Sequence, residues 1–199
     1  MVYYPANIVT YFRFLFVILF PFFWLSHPGA AILLGVSLQL LDSVDGYIAR
    51  RSGKVTKLGQ ALDMLVDRCF SLTFCFCMSC LFPRWFILFI FICIIDIGSH
   101  LLLLYSAAIF KADSHKNLFV NAKSRLVKMY HSDRRMFMFI TCVFYDLSFA
   151  LVYIYHFYPY SIFMVLFGIS VAIGFLKFYV HIFQSVEMFR KLVRLDEAG

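Results

Sequence analysis

The sequence predicts an all-α membrane protein, a single domain over residues 1–199 built from six transmembrane helices. Three observations carry that reading. Apolar residues make up 63% of the chain and mean hydropathy is +0.85, far above an ordinary soluble domain. The long apolar runs are dominated by Leu, Ile and Phe, with 26 Phe in all and no sustained alternation, which favours helices over a membrane barrel. A hydrocarbon core about 30 Å thick takes roughly 20 residues per helix, so a chain of 199 residues holds about six crossings and little else.

The breaks between apolar runs set the spans. The first, 7–26, contains Arg13 and ends in Ser26-His27-Pro28-Gly29 without a small-x-small cleavage site, so it reads as a retained span rather than a signal peptide. Span two, 29–50, starts after Pro28-Gly29 and stops at the basic cluster Arg50 to Lys57. Span three, 59–82, ends at Pro83, and span four, 85–110, ends where a second basic stretch runs from Lys111 to Arg135. That stretch is the one sizeable extramembrane segment. Spans five and six, 135–156 and 160–183, are parted by Pro159.

With a cytoplasmic N-terminus, one side receives Arg50, Arg51, Lys54, Lys57, the Lys111–Arg135 loop, Arg190, Lys191 and Arg194, and the other only Arg84. The positive-inside rule then places both termini and both basic loops in the cytoplasm. The net charge of +7 is explained by that asymmetry and calls for no nucleic-acid partner. The same loops suit anionic lipid headgroups or a nucleotide diphosphate. All six cysteines lie in apolar runs, where a thiol acts as a small hydrophobe, and Cys75, Cys77 and Cys80 lack zinc spacing; no disulfide is expected.

Acids inside spans are costly and mark function by default. Asp42 and Asp45, three apart near the cytoplasmic end of span two, share a helix face; so do Asp63 and Asp67, four apart at the start of span three. The short connection makes these spans antiparallel neighbours, so four carboxylates converge at one depth. They must be protonated, paired or neutralised by cations, and an all-oxygen set suits Mg²⁺ or Mn²⁺. Two such ions would suit displacement at phosphorus. Gly46, Ala49 and Gly59 are small enough for close approach of a diphosphate, or for tight helix packing, and Arg50 stands at the surface as a phosphate grip or an orientation anchor.

Asp42-Ser-Val-Asp45-Gly46-Tyr-Ile-Ala49-Arg50, eight residues, then Gly59-Gln-Ala-Leu-Asp63-Met-Leu-Val-Asp67 resembles the signature of the CDP-alcohol phosphatidyltransferase family, with all eight fixed positions matched. The resemblance implies a six-helix homodimer, two divalent metals on Asp42, Asp45, Asp63 and Asp67, and Asp67 as general base. An acceptor hydroxyl would attack the β-phosphate of CDP-diacylglycerol and release CMP. Asn7-Ile-Val-Thr10-Tyr-Phe-Arg13 is similar to the family's first segment, where Asn, Thr and Arg approach nucleotide and diphosphate; Ala6 here separates Pro5 from the Asn that Pro usually precedes.

The acceptor must be read from later spans. Asp96, Ser99, His100, Tyr105 and Ser106 give span four an unusual polar load, and the first three can share a face; His100 can equally be a packed histidine bonded to Asp96. Asp96-Ile-Gly-Ser99-His100 through Tyr105-Ser106, then Ser114-His115-Lys116, is similar to the eukaryotic phosphatidylinositol-forming branch, with Leu101 and Ala107 where that branch has Trp and Ser. The likeness implies myo-inositol as acceptor and the endoplasmic reticulum as compartment. Carboxylate, hydroxyl and imidazole suit a polyol; the many aromatics also leave room for a choline-type cage, and Arg134 and Arg135 for an anionic acceptor or a positive-inside anchor. Glycerol phosphate, serine and choline are the alternative acceptors. A small cation transporter is the alternative class, against which stands the clustering of the acids at one end of two helices. Asp146 and Lys177, near mid-membrane, suggest a buried ion pair or dimer contact.

Overall fold

The computed structural model describes residues 4–52, 56–110, 119, 124–131 and 135–197. Among these the regular elements are α1 (Pro5–Phe23), α2 (Pro28–Arg51), α3 (Lys57–Leu81), a 3₁₀ turn (Pro83–Trp85), α4 (Phe86–Ile109), α5 (Arg125–His131), α6 (Arg135–Phe157) and α7 (Ser161–Asp196), with no strand. Six of the helices, all but α5, are long and apolar enough to cross a membrane, so the chain is an integral, multi-pass protein. By contacts it divides into two compact units, Met1–Ile90 and Phe91–Gly199.

Unit one packs α2 and α3 against α1. Local chemistry fixes the helix starts: Pro5 occupies the first turn of α1, where its missing N–H costs nothing, and Thr56 caps α3 by accepting from Gly59 N at 3.0 Å. The buried stripe of α1 is Asn7, Thr10, Arg13, Val17 and Phe20, polar for its first half and apolar for its second. Val17 joins Leu38 and Val66 in an apolar cluster, and Phe20 meets Phe70 edge-on at 5.7 Å. Ile8, Phe12, Leu15, Ile18 and Phe22 face outward. That is the pattern of a helix whose solvent is lipid and whose polar side needs protein partners.

Unit two is held by α6 against α7, with α5 touching both. Leu103, Phe119, Val127, Tyr130, Val180 and Met188 form its apolar cluster. At Gly174 a Cβ would lie 2.8 Å from Tyr145 Cα, so α6 and α7 approach more closely than a methyl group allows. Gly174→Ala is therefore expected to lower stability by about 1–3 kcal/mol, read as a fall in Tm in detergent. Gly29→Ala, where nothing lies within 4 Å, is expected to leave Tm unchanged or slightly raised.

Two features depart from the expected spans. The sixth was expected to stop at 183, yet α7 runs unbroken to Asp196, 36 residues in all. Its length of about 54 Å exceeds the hydrocarbon core by several turns. Residues 184–196 contain neither Gly nor Pro, Glu187 pairs with Arg190 at 3.5 Å, and Met188 is fully buried, so the helix has no reason to end where hydropathy falls. Within the long basic loop, Arg125–His131 is helical and buries Val127, Tyr130 and His131, a local order that the reading of this segment as an extramembrane loop did not include. The Asp146–Lys177 expectation is met as proximity: Lys177 Nζ lies 3.9 Å from Asp146 Oδ1 and 4.3 Å from the Tyr145 ring centre. All six cysteines are free thiols.

Candidate active site

The sequence places Asp42 and Asp45 on α2, and Asp63 and Asp67 on α3, each pair on one face, and unit one brings all four onto a single side chain of α1. The Arg13 guanidinium reaches every one of them. Nη1 lies 2.8 Å from Asp45 Oδ2 and 2.6 Å from Asp63 Oδ1; Nη2 lies 2.7 Å from Asp42 Oδ1 and 2.5 Å from Asp67 Oδ1. Sequence reasoning expected Arg13 to approach the diphosphate and missed this role. The signal was present, since four acids in an apolar setting need compensating charge and Arg13 is the span-one cation one turn from Thr10.

Burial sorts the carboxylates. Asp45 is nearly enclosed, its side chain 5% exposed, and also accepts from Thr10 Oγ1 at 3.1 Å; the side chains of Asp42, Asp63 and Asp67 are 40%, 46% and 36% exposed. Asp45 is thus an anchored acid, and the other three open outward. Arg68, which the sequence reading passed over, adds a second cation, with Nη2 3.9 Å from Asp67 Oδ2.

A divalent cation fits this donor set. Asp42, Asp63 and Asp67 each offer an oxygen, and these lie within 4.8 Å of one another. Trans oxygens around octahedral Mg²⁺ are about 4.2 Å apart, so modest side-chain movement would close the set. The donors are all hard oxygens, without the thiolate or imidazole that would favour zinc.

Beside the carboxylates lies a cleft of about 190 Å³ whose lining includes Asn7, Thr10, Asp45, Gly46, Ala49, Gly59 and Asp63, with Tyr4, Pro5, Ala6, Ile48, Ser52, Thr56 and Gln60 forming the rest of its wall. It gathers the residues that sequence assigned to the nucleotide and diphosphate, apart from Arg13, which sits among the acids, and Arg50, whose side chain lies outside the described residues. Gly59 has a specific reason to be glycine, because a Cβ there would sit 3.0 Å from Asn7 Oδ1 and 3.1 Å from Thr56 Oγ1, crowding the cleft wall.

Unit two carries a separate polar cluster. Asp96 is 2% exposed, with Oδ1 3.4 Å from His181 Nδ1 and 3.8 Å from His100 Nδ1. His100 Nδ1–H donates to Asp96 O at 2.7 Å, and Ser99 Oγ donates to the same carbonyl at 3.0 Å. Gln184 extends the cluster, its Nε2 donating to Ser99 O at 3.3 Å while its Oε1 lies 2.9 Å from His131 Nε2. Asp96, Ser99 and His100 therefore come together as expected, and Ser106 is fully buried farther along the helix. Tyr105 does not join them: it is 59% exposed. Nine residues beyond Asp96, it falls about 180° around the helix, on the opposite face. His181 and Gln184 were missed, because α7 is too far along the chain for any local spacing to tie them to Asp96. Ser114, His115, Lys116 and Arg134 lie outside the described residues, as does the side chain of Arg135.

Residues 3–176 match the CDP-alcohol phosphatidyltransferase family, and the chain belongs to it. Among individual relatives it is 26% identical to the CDP-diacylglycerol–inositol 3-phosphatidyltransferase of Candida albicans over 97% of this chain and 83% of that protein. It is 28% identical to the enzyme of that name from Rattus norvegicus, over 96% of this chain and 92% of the relative. The Saccharomyces cerevisiae enzyme of that name is 33% identical over 77% and 69% respectively. No solved structure matches the chain.

Proposed function

We propose that this protein makes phosphatidylinositol, transferring the phosphatidyl group of CDP-diacylglycerol to myo-inositol with release of CMP. The observation that carries the reading is the convergence of Asp42, Asp45, Asp63 and Asp67 on one point beside the cleft of Gly46, Ala49 and Gly59. Near-full-length likeness to relatives named for inositol transfer supports the choice of acceptor.

In this reading the cleft takes the donor's nucleotide and diphosphate. Asn7, Thr10 and Arg50 supply polar contacts, and the three small residues permit close backbone approach. Asp67 accepts the proton of the attacking inositol hydroxyl; the new O–P bond forms at the β-phosphate as the bond to the CMP oxygen breaks. Two Mg²⁺ or Mn²⁺ ions held by the four aspartates would supply stabilisation of negative charge on the phosphoryl oxygens. Asp45, buried and bonded to Thr10, keeps the cluster in place. Inositol recognition falls to Asp96, Ser99, His100 and Ser106, joined by His181 through Asp96; Tyr105, on the opposite face of the helix, takes no part. The protein acts as one catalytic domain and a homodimer in the endoplasmic reticulum membrane, with active site and termini facing the cytoplasm.

The test is CMP release by the purified protein from CDP-diacylglycerol, offered myo-inositol, glycerol 3-phosphate, serine and choline in parallel. Selective release with inositol, lost in EDTA and restored by Mg²⁺ or Mn²⁺, is the expected result. Release with another alcohol would keep the chemistry and overturn the acceptor.

A further inference from the structure

One guanidinium answers four carboxylates, and it does so with its full Nη complement. Each Nη atom carries two hydrogens, and each contacts two aspartates: Asp45 and Asp63 at Nη1, Asp42 and Asp67 at Nη2. Arg13 is 3% exposed, and its Nε is buried with no hydrogen-bond partner among the described residues. The group is therefore committed to the acids.

The oxygens it occupies are Asp42 Oδ1, Asp45 Oδ2, Asp63 Oδ1 and Asp67 Oδ1, drawn from the same carboxylates assigned above to divalent cations. An ion binding such oxygens at about 2.1 Å would sit within a few ångströms of the guanidinium nitrogens. Like charges at that distance in a poorly hydrated setting repel strongly, so full occupancy of both is disfavoured. The exchange has a built-in order. Asp45 is nearly enclosed and cannot be left without a cation, whereas the side chains of Asp42, Asp63 and Asp67, 36–46% exposed, are open to an arriving ion.

We propose that Arg13 is the resident counter-cation of the carboxylate cluster and exchanges with the divalent metal, which binds by displacing the guanidinium from the aspartate oxygens. This rests on the reading of the four aspartates as metal ligands and adds a competitor within the chain itself. Metal affinity is then set partly by Arg13, and the displaced guanidinium becomes a planar group available to a phosphate.

The test uses the purified full chain and Mn²⁺ alone, with bound ion read from loss of the free Mn²⁺ electron paramagnetic resonance signal. Arg13→Met is expected to bind Mn²⁺ about tenfold or more tightly than the wild type, with Arg13→Lys between them, because a single ammonium cannot bridge four acids. In the wild-type protein, which needs no variant to fold, Mn²⁺ is expected to increase modification of Arg13 by phenylglyoxal, read by mass spectrometry of its peptide. Equal or weaker Mn²⁺ binding by Arg13→Met, or an Arg13 that Mn²⁺ leaves unreactive, overturns the exchange. A distinct failure, wild-type protein with no Mn²⁺ binding that Asp63→Asn removes, would overturn the metal-ligand reading and the exchange with it.

Discussion

Asp67→Asn is expected to reduce kcat for CMP release by a factor of about 10² to 10⁴, the usual contribution of a positioned general base. The change is isosteric and keeps an oxygen for the contact that Arg13 makes at 2.5 Å, so the helix and its packing should persist. What disappears is the capacity to take a proton, together with one anionic oxygen of the metal set. Asp67 suits that role because its side chain is 36% exposed, open to an incoming hydroxyl, whereas Asp45 is enclosed and accepts from Thr10 in addition to the Arg13 contact that both acids share. Asp63→Asn should also be impaired, but through weakened metal binding, and should recover in part as Mn²⁺ is raised. If high Mn²⁺ restores Asp67→Asn equally well, Asp67 acts as a metal ligand alone and the base lies elsewhere.

The second large effect is expected at Asp96. Its carboxylate lies 3.4 Å from His181 Nδ1 and 3.8 Å from His100 Nδ1, on a residue with almost no exposure. Asp96→Asn replaces the carboxylate that faces the His181 ring, leaves the His100 bond to the Asp96 backbone carbonyl in place, and buries an amide with poorer partners, a loss of about 1–3 kcal/mol per group. If this cluster recognises inositol, KM for inositol should rise about tenfold to a hundredfold while KM for CDP-diacylglycerol holds, the split being measured by varying each substrate at saturation of the other. A uniform fall in kcat accompanied by a lower Tm, with both KM values unchanged, would make Asp96 a packing residue. Tyr105→Phe, on the opposite face, is expected to change neither constant.

Family and chemistry were legible because the signature is local. Asp42 to Asp45 and Asp63 to Asp67 obey helical spacing, so the shared face of each pair follows from sequence distance alone; the two pairs meet because α2 and α3 each pack against α1, where the short connection suggests that they pack against each other. The six spans were legible because lipid imposes length and apolarity on each. The end of α7 was not, since hydropathy marks where a helix leaves the membrane and not where its hydrogen bonding stops. Tyr105 was misplaced for a related reason: its neighbour Ser106 is buried, and one step along a helix turns a side chain by about 100°.

The sequence by itself determined an all-α, six-span membrane protein, its family and the four acids, because helix periodicity and bilayer thickness act on residues a few positions apart. Only tertiary structure decided which cation those acids meet and which residues complete the Asp96 cluster. Arg13 is 29 to 54 positions from the aspartates, and His181 is 85 from Asp96. Contacts at such separations come from the packing of whole helices, where the buried Asp45 and Asp96 have only the partners that neighbouring helices present.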